Sequence, residues 1–128
     1  MIEAGLRAHL LGAAAVDTLV AGRVFPLLMP QGSPLPSLVY QRIASSRQQM
    51  YCGTSRLTAG TFQIDSYAEQ YVAAVSLAAA VRAALLDFQG MLNGVPVRHA
   101  FVETEGDLLD PEPGIFRVSQ TWVIWYSE

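Results

Sequence analysis

Few residues of this chain have side chains that bind metal ions or attack substrates. The two histidines, His9 and His99, are far apart in the sequence, and no zinc-binding motif includes either of them. Cys52 is the single cysteine and lies in a polar stretch, where a thiol can be reactive. We therefore expect both histidines to have surface or structural roles, and we predict no metal site and no cofactor.

The densest group of ionisable side chains is acidic. Its five members lie within ten residues: Glu103, Glu105, Asp107, Asp110 and Glu112. The glycines and prolines among them predict a turn-rich link between two strands. Their spacing is not that of a calcium-binding EF-hand loop. A solvated loop is the simplest interpretation, and an acidic surface that repels DNA and so leaves it mobile is the functional alternative.

The sequence lacks the motifs of the common nucleotide-binding and hydrolytic enzymes. It contains no G-x-S-x-G, no Walker A motif and no dinucleotide-binding glycine pattern. The formal net charge of −3 argues against nucleic-acid binding as the main function, because no basic stripe is present to neutralise phosphates. From its residues alone, we predict a protein that is not an enzyme.

Length and composition predict one globular domain spanning residues 1–128. A chain of 128 residues, 52% of them hydrophobic and 15% charged, can bury a substantial core. One cysteine excludes an internal disulfide framework. Because no stretch approaches the roughly 20 apolar residues that span a bilayer, and no signal peptide is evident, we expect cytoplasmic synthesis and no membrane association.

The fold is predicted to be organised around an alanine-rich helix over residues 71–88. Apolar residues recur there at three- and four-residue intervals and define one face of a helix. The predicted face comprises Tyr71, Val75, Ala78, Val81, Leu85 and Phe88, widened by Val72, Ala79 and Leu86. So apolar a helix must lie against a broad surface, and the flanking segments have the alternation of strands.

The remaining elements follow from turn signals and periodicity. Residues 2–21 are predicted to be helical with a bend at Gly12, and Asn93-Gly94 is predicted to form a tight turn. Strands are predicted over residues 23–25, 38–45, 58–67, 95–103 and 115–126. Residues 46–56 are predicted to form a long hairpin loop or a flexible arm. The expected class is α+β, with a mixed or antiparallel sheet of about five strands and two helical segments packed on one face.

The segment over residues 26–36 contains four prolines and is predicted to be a stiff, extended connection. It is unusually apolar for an exposed loop, because it includes Leu27, Leu28, Met29 and Leu35. Packing on the chain's own core is the simplest interpretation of these side chains. Docking on a neighbouring subunit is the alternative.

Three motifs in this order resemble the tail-completion proteins of long-tailed bacteriophages, prophages and gene transfer agents. The first is Pro30 followed by PSLVY at residues 36–40. The second is QID at residues 63–65, which runs into an alanine-rich helix. The third is GIFRVS at residues 114–119, after an acidic turn. The family is also known as the tail-terminator or head–tail joining proteins, and the resemblance covers nearly the whole chain.

The resemblance implies a structural virion protein, located at the head–tail interface and synthesised in the bacterial cytoplasm. It implies a homo-oligomeric ring, commonly of six subunits, that caps the tail tube and joins it to the head connector. The implied partners are further copies of the chain, a tail-tube protein and a head-connector or head-completion protein. DNA passes through the ring without specific binding, and no catalytic residues are implied.

On this interpretation we assign two candidate surfaces. The subunit or partner interface is predicted to include Leu27, Leu28, Met29, Leu35, Gln48, Gln49, Met50 and Tyr51. The acidic residues at 103–112 are predicted to line or rim the DNA channel.

Two alternatives remain open from the sequence. The first is another ring-forming virion part, such as a head-completion, connector or minor tail protein. The second is a small α+β ligand-binding domain or enzyme, which requires polar side chains that converge on a pocket. Its candidates are Arg42, Asp65, Arg98 and Arg117, although their alternation with apolar neighbours favours a position on the solvent face of the sheet.

Overall fold

A computed structural model of the chain describes residues 2–28, 34–50, 53–109 and 115–127. Within these residues the helices are α1 (Ile2–Gly12), α2 (Ala14–Val20) and α3 (Tyr71–Leu85). The strands are β1 (Val24–Pro26), β2 (Ser37–Met50), β3 (Gly53–Ala68), β4 (Gly90–Leu92), β5 (Val95–Leu109) and β6 (Phe116–Ser127).

The strands form one mixed, six-stranded sheet in the order β1-β2-β3-β6-β5-β4. β1 is parallel to β2, and the other neighbouring strands are antiparallel. The predicted α+β class is confirmed, with one strand more than expected. The additional strand is the short β4, which the Asn93-Gly94 turn connects to β5. Both turn residues have positive φ, 49° and 78°, as the predicted tight hairpin turn requires.

All three helices contribute to one apolar core on the same face of the sheet. Fully buried residues of α1 and α2 join those of α3 and of the central strands in a single cluster. Trp122 and Phe62, which form a pair on β6 and β3, are the largest fully buried side chains. Each large buried side chain contributes about 1.5–3 kcal/mol. The predicted bend after Gly12 lets α2 turn back onto this core.

The buried face of α3 matches the predicted face in part, at Ala78, Val81 and Leu85. The helix buries Ala74, Leu77, Ala78, Val81 and Leu85. Tyr71, Val75 and Val72 are exposed instead, as is Leu86 beyond the helix. The helix also ends at Leu85, three residues early, because Leu86 leaves the helical conformation and is extended, with φ −61° and ψ 131°. Alanine on several sides of the helix offers more than one apolar stripe, so periodicity alone did not determine which side meets the sheet.

The predicted loop over residues 46–56 is largely paired strand. β2 continues to Met50 and β3 begins at Gly53, and Gln49 pairs with Thr54 next to the end of the hairpin. Residues 46–56 are mostly polar in the sequence. That composition is also typical of a loop, which explains the error.

The acidic segment was predicted to be a turn-rich link, but β5 extends to Leu109 and includes Glu103, Glu105 and Asp107. Glu105 and Asp107 pair with Gln120 and Val118 of β6, whereas Glu103 lies at a register shift between Val102 and Thr104. Asp110 and Glu112 lie outside the described residues. The continuing ladder overrides the weak strand preference of acidic residues, because β6 offers backbone partners along its full length.

Gly5 permits the close approach of α1 to β4. A Cβ atom added at Gly5 would lie 2.6 Å from the Leu92 carbonyl carbon and 2.9 Å from the Asn93 nitrogen, which are backbone atoms that cannot move aside. We predict that Gly5→Ala lowers the free energy of unfolding by about 1–3 kcal/mol, as overpacking does.

Gly12→Ala is the matched control on the same helix, since a Cβ there meets nothing within 4 Å. We expect it to be neutral or slightly stabilising, because alanine is the better helix former. Denaturant unfolding of both variants measures the difference. Equal stability of Gly5→Ala and the wild type would contradict the close contact.

Candidate assembly surfaces

An irregularity in β5 turns its acidic side chains towards the helices. The pairing register with β6 shifts by one residue between Val102 and Thr104. Beyond this β-bulge Glu105 lies opposite the buried Gln120, and Asp107 lies opposite Val118. Paired residues of antiparallel strands point to the same face, so Glu105 and Asp107 are on the α3 side of the sheet.

Glu105 and Asp107 contact the helix. Arg82 Nη1 donates to both carboxylate oxygens of Glu105, at 3.0 and 2.8 Å. The Tyr71 hydroxyl donates to Asp107 Oδ2 at 2.6 Å. This hydrogen bond, together with the negative charge of Asp107, raises the pKa of Tyr71. Two of the acidic residues predicted to face a channel therefore also fasten α3 to β5, at a surface that remains exposed.

A buried polar chain continues from Glu105 into the core. Gln120 is fully buried, and its Nε2 donates to the Ala78 carbonyl and to Glu105 Oε1, both at 3.1 Å. Its Oε1 accepts a hydrogen bond from Trp122 Nε1 at 3.3 Å. Sequence reasoning missed this network. The available signal was a glutamine at an inward position of the otherwise apolar row of β6.

Leu27 and Leu28 project into solvent at the end of β1. They are 70% and 79% exposed, so packing on the chain's own core, the simpler prediction, is wrong for these two residues. The Leu27 amide nonetheless donates to the Tyr40 carbonyl at 2.8 Å. Its φ of 63° is in the left-handed region, which is unfavourable for leucine. The backbone is thus held in an uncommon conformation that presents apolar side chains outwards.

A groove of about 510 Å³ adjoins Leu27. Its lining comprises Glu3, Ala4, Arg7, Ala8, Pro26, Leu27, Tyr40 and Arg42. Arg42 Nη1 lies 2.7 Å from Glu3 Oε1, and burial raises the pKa of Tyr40. The groove combines alanine and leucine surface with a charged rim, which suits a protein side chain better than a free ion.

The other predicted interface residues are distributed over two regions. Leu35 is half-buried, between the extremes of core and solvent. Gln48, Gln49 and Met50 lie near the end of β2, where the structure describes the backbone alone. Met29 and Tyr51 lie outside the described residues.

The four polar residues considered for a ligand site do not converge. Asp65 and Arg117 approach each other to 3.8 Å on the face of the sheet away from the helices. Arg42 is instead on the α1 side, where it contacts Glu3. Arg98 is exposed at a second register shift of β5. The prediction that all four occupy the solvent face is wrong for Arg42, because β2 is near the edge of the sheet and α1 reaches it there. Asp65 lies on the face away from the helices but is itself buried.

The histidines have the structural and surface roles that were predicted. His9 Nε2 lies 2.8 Å from the Ala84 carbonyl oxygen, and its ring packs at a tilt of 50° against Phe88, so it joins α1 to the end of α3. His99 Nε2 lies 3.1 Å from Asp87 Oδ1 at the surface. Cys52 lies outside the described residues. Among the residues that the structure does describe, no three of His, Cys, Asp or Glu are grouped as metal ligands would be.

Comparison with known proteins identifies the family. The sequence model of the protein family described as tail completion protein gp17 matches residues 4–127 of this chain. The chain belongs to this family. The relationship predicted from the three sequence motifs is thereby confirmed, and this tail completion protein is a structural component of a phage-type virion tail. No described helix of it is both long enough and apolar enough to cross a membrane.

The fold recurs in a solved particle. The tail completion protein is similar to a chain from the virion of a native gene transfer agent particle, with a TM-score of 0.74 and 17% sequence identity. The alignment covers 96% of this chain and 92% of that chain. At this identity the likeness shows a shared fold. No curated protein sequence matches the chain.

The buried network gives a stability prediction. Gln120→Leu leaves Trp122 Nε1 and the Ala78 carbonyl without this partner in the core, and we expect it to lower the free energy of unfolding by about 1–3 kcal/mol. Arg82→Gln is the comparison, because it alters only the half-exposed end of the network. We expect it to lower the free energy of unfolding by less than about 1 kcal/mol. Denaturant unfolding measures both. A smaller loss for Gln120→Leu than for Arg82→Gln would contradict the network.

Proposed function

We propose that this tail completion protein forms a homo-oligomeric ring of six copies that caps the tail tube and joins it to the head connector. Family membership and the shared fold with a virion protein support this assignment. The ring encloses the channel through which DNA passes. The chain acts by assembly, so its functional groups are contact surfaces.

The exposed Leu27 and Leu28 are the observation that carries the proposal. Two adjacent leucines in solvent are unfavourable for an isolated subunit, and a contiguous apolar patch usually marks a protein contact. A ring requires one patch to meet a different patch on the next copy. The leucines lie at the β1 side of the sheet, beside a groove with a charged rim. We assign them to the contact between subunits.

The acidic part of β5 supports the channel assignment. Glu103, Glu105 and Asp107 are exposed on one strand. Negative charge on a channel wall repels the phosphate backbone and prevents tight binding of DNA. A wall of this kind leaves DNA free to move along the channel.

Leu28→Asp tests the interface. Because Leu28 is 79% exposed, the variant should fold normally, and a buried charge at the contact should weaken ring formation. Sedimentation and negative-stain images at several protein concentrations measure assembly. Leu35→Asp should act in the same direction, but Leu35 is half-buried, so Leu28 gives the cleaner result.

Val72→Asp is the matched control, since Val72 is 72% exposed on the unrelated surface of α3. It should assemble like the wild type. Rings of Leu28→Asp that form at wild-type concentrations would contradict the assignment of the leucines.

Glu103→Arg tests the channel. Glu105 and Asp107 fasten α3, so the exposed Glu103 is the acidic residue of this segment to reverse without disturbing those contacts. In assembled particles we expect slower DNA ejection, because arginine attracts the phosphates that glutamate repels. Glu69→Arg makes the same charge change at an exposed residue between β3 and α3 and should leave ejection unchanged. Ejection at the wild-type rate in Glu103→Arg particles would exclude Glu103 from the channel wall.

A further inference from the structure

One long edge of the sheet, on β2, has no strand neighbour over most of its length in the described part of the chain. β1 pairs with β2 only at residues 38–40, so the outer edge of β2 is open over residues 41–50. Residues 42–46 are exposed. Unpaired backbone groups on an exposed edge are a template for pairing with another strand.

The opposite edge of the sheet, on β5, is open in the same way among the described residues. β4 pairs with β5 only at residues 95–97. The Ala100 carbonyl accepts a hydrogen bond from the Asp87 amide, in the turn after α3. Residues 101–109 of β5 have no strand beyond them on that side.

The two open edges are complementary in position and direction. β2 and β5 run in opposite directions, because each neighbouring pair between them is antiparallel. The open part of β2 is at one end of the sheet, and the open part of β5 is at the other end. A second copy that is shifted along the strand direction can therefore place the open part of its β2 against the open part of β5 of the first copy. β4 of the first copy then lies beyond one end of this contact, and β1 of the second copy lies beyond the other end.

Hydrogen bonds indicate which residues of β2 present backbone groups to the open edge. The Tyr40 carbonyl accepts a hydrogen bond from the segment after β1, so Tyr40 faces outwards. Outward-facing residues alternate along an antiparallel strand, and the bulge between Arg42 and Ala44 shifts the alternation by one residue. Arg42 is therefore the next residue with outward N–H and C=O groups, and Ser45 and Arg47 follow beyond the bulge.

The same reasoning applies to β5. Ala100 faces outwards through its carbonyl, and the bulge between Val102 and Thr104 again shifts the alternation. Glu105 and Asp107 follow as the residues with outward backbone groups. On β2, the outward-facing Ser45 and Arg47 therefore flank Ser46. On β5, the outward-facing Glu105 and Asp107 flank Gly106.

Charge favours these two edges as partners. Residues 41–50 contain two arginines and no acidic residue. Residues 101–109 contain three acidic residues and no basic one. Opposite charges on facing strands stabilise pairing, whereas two copies of one edge would bring like charges together. The contact is therefore heterologous, as a closed ring requires.

We propose that the ring closes by antiparallel pairing of β2 residues 45–47 of one copy with β5 residues 105–107 of the next. In this register Arg47 lies opposite Glu105, and Ser46 lies opposite Gly106. The pairing rests on the proposed ring, and it makes the ring wall a continuous sheet. The exposed leucines then add apolar contact beside a backbone ladder.

Disulfide trapping between single-cysteine variants tests the pairing. In the Cys52→Ser background, Ser46→Cys and Gly106→Cys are prepared separately and mixed, so only a contact between copies joins them. Both residues are exposed, and a Cβ at Gly106 meets nothing within 4 Å. The register makes them a non-hydrogen-bonded pair with Cα atoms roughly 4.5 Å apart, which a disulfide can bridge. We expect dimers linked between the two variants under mild oxidation, and rings in the same sample by negative stain.

Two controls define the result. Ser46→Cys mixed with Ser76→Cys, an exposed residue of α3, should give no linked dimer. Ser46→Cys alone should also stay monomeric on a denaturing gel, and its self-linking would indicate β2–β2 contact and overturn the proposal. Linking to Ser76→Cys in equal yield would overturn it as well, as random collision.

The outcomes separate the pairing from the function. Rings without a link between Ser46→Cys and Gly106→Cys would exclude this edge contact and leave the ring intact. Absence of both rings and links over the accessible concentration range would contradict the pairing and the proposed ring together.

Discussion

The packing of α3 on the inner face of the sheet is the interaction on which the rest of the structure depends. Leu77, Val81 and Leu85 are fully buried in the same cluster as Trp122 and the other inward residues of the central strands. This contact fixes the side of the sheet that faces solvent. It also brings Arg82 and Tyr71 within reach of β5, so the position of the helix determines how the acidic side chains are held.

Burial and backbone pairing explain what the sequence could and could not predict. The turn at Asn93-Gly94, the bend after Gly12 and the inward row of β6 were predictable, because each follows from local conformation or from strict alternation. The full set of α3 residues that face the sheet was not predictable. Alanine provides apolar surface on several sides of the helix, and only packing against the sheet determines which side is buried. The ends of β2 and β5 depend on partners elsewhere in the chain, and that information is absent from local composition.

The candidate surfaces were also predictable only in part from the sequence. The apolar character of Leu27 and Leu28 made them candidates for a contact surface, but their exposure depends on a backbone conformation that the sequence does not reveal. The acidic residues were identified by composition, whereas their contacts with α3 were not. Those contacts depend on the register of β5 against β6, which a single additional residue changes.

That additional residue has a consequence for how such proteins diverge. The bulge near Glu103 divides β5 into a first part whose alternate side chains enter the core and a second part whose alternate side chains are acidic. Deleting one residue there would exchange the two faces of the second part while leaving its composition unchanged. Insertions and deletions at one site can therefore redirect a whole row of charges, so related chains with similar sequences can present different electrostatic surfaces.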